Sequence, residues 1–187
     1  MTPLPHRIAI IPMGEAPVIA AKVIAAHISG YLNLQAVVMP PSDLPLQALD
    51  KGRLQYNAGR LIQQLESRPM RPLEKIVAVF SVDLFLPVFT HVFGEARQGG
   101  RVALVSLFRL GKDSDELWRP SSDTLERTAK VALHELCHLY HLTHCENHAC
   151  LMHFSGSLEA LDKTPLAFCR YCRSFFREAV SRQSCRE

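Results

Sequence analysis

Short apolar runs and helical-period stripes alternate along the first two-thirds of the chain. Arg7 to Ile11 reads as a buried strand, Glu15 to Ile28 as a helix and Leu34 to Met39 as a second strand, a β-α-β opening. The turn-forming Pro40, Pro41, Ser42, Asp43 and Pro45 lead to a second helical pattern around Tyr56 to Glu66, ended by Pro69, and then to a strongly apolar strand, Lys75 to Phe80. Crossover logic predicts parallel pairing for these strands. Val88 to Phe93 and Val102 to Phe108 flank Gly94 and the Gly99-Gly100 pair, a spacing that predicts two neighbouring strands joined by a loop, so that the sheet becomes mixed. Pro120, Ser121, Ser122 and Asp123 supply helix-start chemistry, with Glu126 three residues beyond Asp123 in a capping-box-like relation. In the helix that follows, Leu125, Ala129, Ala132, Leu133 and Leu136 form one apolar stripe facing the core. Arg170 to Val180 reads as a packed terminal helix. The pattern predicts a single compact α/β domain, 1–187, with a mixed twisted sheet mainly in 1–118 and a helical part in 119–187.

Composition narrows the class. The chain has 187 residues, 48% of them hydrophobic, enough to build a core in one domain. A net charge of +3 with dispersed Lys and Arg gives no basis for a nucleic-acid partner or an anionic membrane surface. No stretch of 18 apolar residues exists, because Lys22 interrupts the segment from Ala16 to Ile28 and charges break every later run, so no membrane span is expected. Met1 to Met13 lacks a small-residue cleavage site and reads as a buried strand, which predicts a cytoplasmic location. Six cysteines in such a setting stay reduced, favouring metal ligation or burial over disulfides.

The chemistry is concentrated after Leu133. In His134-Glu135-Leu136-Cys137-His138 the two histidines are four apart and project from the side opposite the apolar stripe. They are close enough to share a tetrahedral zinc ion at about 2.0–2.1 Å per bond. Glu135 lies next to the pair. His144 follows His138 by six residues, so it reaches the same ion only if the helix ends between them. Three neutral imidazoles would leave a fourth position for water, the arrangement of a catalytic site. Zinc lowers the pKa of such a water toward about 7, and Glu135 as general base could accept its proton and pass it to a leaving amine. The outcome would be hydrolysis of a peptide bond. A helix running on to make His141 a ligand fails, because seven residues separate His134 from His141 by roughly 10.5 Å of helical rise.

His144-Cys145, Cys150-Leu151-Met152 and Cys169-Arg170-Tyr171-Cys172 complete an array that resembles the archaemetzincin family of zinc metallopeptidases. Val92-Phe93-Gly94-Glu95-Ala96 and Arg101 to Leu107 also look like that family's strand region before the active-site helix. The resemblance implies that His134, His138 and His144 bind catalytic zinc, that Glu135 is the general base, and that Met152 forms the apolar floor called the Met-turn. It also implies a second, structural zinc at Cys145, Cys150, Cys169 and Cys172. Spacing agrees, since a Cys-x-x-x-x-Cys pair and a Cys-x-x-Cys pair can close a four-thiolate tetrahedron that staples the helical C-terminal segment to the end of the active-site helix. Two Zn2+ per chain are thus expected, with a peptide or protein substrate, a monomeric state, and endopeptidase or aminopeptidase action left open.

One position departs from the family's pattern. His141 stands where the long motif has Gly, whose positive φ lets the chain leave the helix, and His reaches that conformation at a cost of roughly 1–2 kcal/mol. The bend is expected to survive with strain. The opposed reading is a catalytically impaired zinc-binding module acting as an interaction protein; Glu135, useless to a structural site, argues against it. Val88 to Phe93 or Val102 to Phe108 could be the exposed edge on which an extended peptide pairs. Cys137 reads as a buried thiol and Cys185 as a free terminal one; His148 and His153, which flank the cysteines, could shape the cleft or hydrogen-bond to the ligands, but read first as solvent-facing. His6, His27 and His91 offer no spacing argument.

Overall fold

The computed structural model describes residues 7–69, 75–111 and 118–184. Strand β1 (Arg7–Met13) is followed by α1 (Val18–His27), whose end loosens into one π-helical turn, Ile28–Leu32, stopped by Asn33 at φ 54°. After β2 (Gln35–Val38) come the short strands β3 (Leu49–Asp50) and β4 (Gln55–Asn57). Helix α2 (Ala58–Glu66) starts at Asn57, whose side chain accepts from the Arg60 N–H. Then follow β5 (Lys75–Phe80), β6 (Leu84–Leu86), β7 (Phe89–Val92), β8 (Gly94–Ala96) and β9 (Val102–Ser106). Helices α3 (Ser122–His138), α4 (Leu158–Lys163) and α5 (Arg170–Ser184) complete the order.

The main sheet has the order β2-β1-β5-β9-β8, parallel except for β8, which runs antiparallel to β9 with Glu95 opposite Leu104. β5 and β9 are buried along their whole length, as continuous apolar runs at the centre of a parallel sheet require. Alternation sends Ile8, Ile10, Val77, Val79 and Val105 to the face covered by α1 and α3, and Ala9, Ala78, Phe80 and Leu104 to the face covered by α2. No helix among the described residues is long and apolar enough to cross a membrane.

The mixed α/β reading holds, with differences in detail. Val88 to Phe93 and Val102 to Phe108 do not pair as strands, although they meet where Ser106 N–H donates to Phe93 O at 2.8 Å. β7 belongs to a second sheet, β3-β4-β6-β7, and the partner of β9 is β8, formed around Gly94 rather than interrupted by it. β9 is therefore internal, and the edge beside α3 is β8. The second sheet escapes the sequence pattern because two- to four-residue strands have no periodicity to read. It is anchored by Asp83, which takes a bidentate pair from Arg109 at 2.8 and 2.6 Å and a bond from Gln55 Nε2 at 2.7 Å. Gln55 of β4 also donates to the Thr90 carbonyl of β7, tying together the two strands that flank β6. The α3 cap differs too. Ser121 and Thr124 form the capping box, in place of Asp123 and Glu126, because a Thr hydroxyl at the third helical position reaches back to the Ser121 N–H at 2.9 Å.

Candidate metal centres and cleft

Helix α3 packs on β8, β9 and α1, and ends just where the site needs it to. Leu142 N–H donates to Cys137 O at 3.2 Å and His141 N–H to His138 O at 3.0 Å, the paired bonds of a Schellman ending, with His141 in the left-handed region at φ 66°. The chain thus turns sharply at His141 and returns His144 to the helix. The ring centroids of His134, His138 and His144 lie 4.7, 5.2 and 4.9 Å apart.

Backbone carbonyls fix two of the three rings. Nδ1 of His134 donates to Leu151 O at 2.8 Å, and Nδ1 of His138 to Leu142 O at 2.7 Å. Each ring therefore carries its proton on Nδ1 and presents the Nε2 lone pair inward. The two Nε2 atoms stand 3.1 Å apart, two acceptors facing each other across a gap that only a proton or a cation can relieve. Tetrahedral zinc with bonds of about 2.0–2.1 Å places its nitrogen ligands roughly 3.3 Å apart, so the donor set fits that ion. Burial, with repulsion from its neighbour His138, brings the pKa of His134 down to about 3; burial also lowers His138 and His144. Neutral imidazoles are what a metal requires.

Glu135 follows directly, half-buried against β8. A Cβ at Gly94 would stand 2.6 Å from Glu135 Cγ and 2.8 Å from Leu104 O, so only glycine lets helix and strand approach this closely. Burial raises the Glu135 carboxyl well above its ordinary range, and the nearby Glu95 raises it further. The three histidines and Glu135 floor a cleft of about 620 Å³, walled by β7 and β8 on one side and by residues 151–156 on the other. Leu151 and Met152 beneath it are buried, and Met152 O accepts from the Cys145 N–H at 2.8 Å.

Cys145, Cys150, Cys169 and Cys172 converge as well, with all four sulfurs within 4.8 Å of one another. Cys145 and Cys169 are 3.9 Å apart, far beyond a disulfide and near the ~3.8 Å that zinc–thiolate bonds of about 2.3 Å give in a tetrahedron. Cys172 N–H donates to Cys169 Sγ at 3.4 Å, which brings that thiol down to about 7. Four sulfur donors leave no open position.

All seven residues expected to bind metal thus fall into the two expected groups. Cys137 is buried among core side chains, and Cys185 and His6 lie outside the described residues. The solvent-facing reading fails for His153: it is half-buried at the cleft, its Nδ1 donates to Cys145 O at 2.9 Å, and its Nε2 is 2.9 Å from Nδ1 of the exposed His148. Spacing gave no signal for Lys75, which is buried and donates to Leu139 O at 2.8 Å and Gly100 O at 3.2 Å at the end of α3. A lysine opening an apolar strand was the only sign of it.

Comparison with known proteins places this architecture. The model of peptidase family M54 matches residues 37–178. The chain is 35% identical to an archaemetzincin of Archaeoglobus fulgidus over 83% of this chain and 90% of that one, and 37% identical to one of Methanopyrus kandleri over 83% and 85%. Among solved structures, the M. kandleri archaemetzincin superimposes with a TM-score of 0.80 at 32% identity, covering 94% of this chain and 95% of that one. The A. fulgidus protein, in complex with malonate, gives 0.77 at 32% identity, covering 90% and 99%.

Proposed function

The chain belongs to peptidase family M54, the archaemetzincins, which are zinc metallopeptidases, and on that premise we propose that His134, His138 and His144 hold the catalytic zinc while Glu135 handles protons. The observation that carries this reading is the convergence of three imidazoles, two with their inward tautomer fixed by backbone carbonyls, at the floor of a cleft beside a half-buried carboxylate. Zinc bound there would polarise the scissile carbonyl and make water a better acid. The rest falls to the chain's own groups. β8, at the edge of the main sheet and lining the cleft, offers backbone groups on which an extended peptide adds as a strand. Glu135, whose burial makes its carboxylate a stronger base than an exposed one, accepts a proton from the attacking water and delivers it to the amine as the bond breaks. Leu151 and Leu142 carbonyls keep two rings from rotating as charge develops.

A second zinc, at Cys145, Cys150, Cys169 and Cys172, serves structure in this reading. It ties the segment after His144 to the start of α5, and its binding energy is folding energy for that region. The test is Glu135→Ala measured beside the unaltered protein for zinc content and for hydrolysis of a mixed peptide library. Turnover is expected to fall by about 10²–10⁴-fold with both zinc ions retained. Equal turnover in the two proteins overturns the role given to Glu135.

A further inference from the structure

The turn between His138 and His144 is held from outside its own helix. Three groups converge on it, Lys75 Nζ on Leu139 O at 2.8 Å, Gly99 N–H on His138 O at 2.9 Å and Gln98 Nε2 on His141 O at 3.0 Å, and the turn's own His141 ring is seated over Gly99. Lys75 also donates to Gly100 O at 3.2 Å and sits 4.7 Å from the centre of the Tyr140 ring. The last carbonyls of a helix lack intrahelical donors and carry the negative end of its dipole. A cation there both satisfies them and fixes their direction. Lys75 is 7% exposed, so its ammonium has exchanged water for the two carbonyls and the ring, and the chain around it is pinned to the acceptors that replaced that water. Gly99, at φ 70°, is the counterpart in the β8–β9 loop: a Cβ there would overlap the His141 imidazole.

Resting on the reading of His134, His138 and His144 as zinc ligands, we propose that Lys75 is a positioning residue for the third ligand. It locks the α3 terminus to the β8–β9 loop so that the turn delivers His144 to the other two imidazoles. The same lock sets Leu142 O, the acceptor that orients His138. The loop follows directly on β8, so the strand that walls the cleft and the clamp on the ligand turn are one stretch of chain. Lys75 touches neither substrate nor metal and acts through the Leu139 and Gly100 carbonyls and the Tyr140 ring.

The experiment compares the zinc-loaded full chain with Lys75→Met, Lys75→Arg and Gly99→Ala. Read out are the zinc left in each site after graded chelator, the visible spectrum of cobalt substituted at the histidines, and kcat and KM on a peptide library. For Lys75→Met, the chelator concentration that empties the histidine site is expected to fall about 10-fold or more, the cysteine-site zinc to stay, and kcat to drop about 10–100-fold at nearly constant KM. The cobalt spectrum changes with it, and Lys75→Arg recovers most of each effect. Unchanged histidine-site retention and spectrum, or parallel loss from both sites with a lower melting temperature, overturns the proposal and leaves Lys75 a residue of general stability. Should Lys75→Met fail to fold, Gly99→Ala decides, since it displaces the turn through His141 with Lys75 intact. The same selective loss is expected there, and intact histidine-site retention overturns the proposal. If the unaltered protein itself takes up zinc only at the cysteines, the underlying ligand reading has failed, an outcome distinct from those above.

Discussion

At the level of single residues, His141 shows how a costly backbone state is tolerated. It occupies the left-handed position of a Schellman ending that glycine usually fills, at φ 66°. Its ring lies over Gly99 and its carbonyl accepts from Gln98, contacts that offset part of the cost. His141→Gly removes the steric term and the ring contact together. Because the ring is largely exposed, the steric term is the larger, and the zinc-loaded variant is expected to gain about 1 kcal/mol, a rise in melting temperature of roughly 2–4 °C. A calorimetric scan checks this, and a fall of similar size would mean that the ring contact outweighs the backbone strain. The residues that sequence spacing made legible were those whose chemistry is rare: the histidines, the cysteines and Glu135. Lys75, Gly94 and the carbonyls of Leu142 and Leu151 were not legible, because each acts through a contact between segments far apart in the chain.

Among elements, the segment from Cys145 to Met152 links the two metal centres. Cys145 follows His144 directly and bonds through its N–H to Met152 O; Leu151 O holds His134, and Leu151 N–H donates to Ala167 O, just ahead of Cys169. Loosening the cysteine cluster should therefore loosen two ligands of the other site. Cys169→Ser is expected to release about one zinc per chain, to speed amide hydrogen exchange from Leu142 to His153, and to weaken zinc retention at the histidines. Metal analysis with hydrogen-exchange mass spectrometry checks this; exchange rising in α5 alone, with histidine-site retention unchanged, would separate the two centres. Helices α1 and α3 and strands β1, β5 and β9 were predictable because each carries a long enough pattern of one period. Periodicity did not show β8, since three residues that begin at a glycine read as a break; only the resemblance of Val92 to Ala96 to the family's strand region marked it.

Across the whole molecule, the mostly parallel sheet is the backing that sets α3 against β8, and α4 and α5 among the described residues fold back against that helix. Arg127 pairs with Asp162 of α4 through two bonds of 2.6 Å, Lys130 donates to Leu161 O of α4 at 3.2 Å, and Phe176 of α5 packs edge-on against Tyr140 at 5.2 Å. The α3 face away from the core thus becomes the floor of a cleft instead of a solvated surface. Each functional role given to the histidines and Glu135 requires that this floor hold a metal ion. Crystals of the zinc-loaded protein, measured on both sides of the zinc absorption edge, test it most directly. Two anomalous peaks per chain are expected, one among the four cysteines and one equidistant from Nε2 of His134, His138 and His144 with its fourth side open to the cleft beside Glu135. A single peak at the cysteines, with His144 turned away from its two partners, would contradict it.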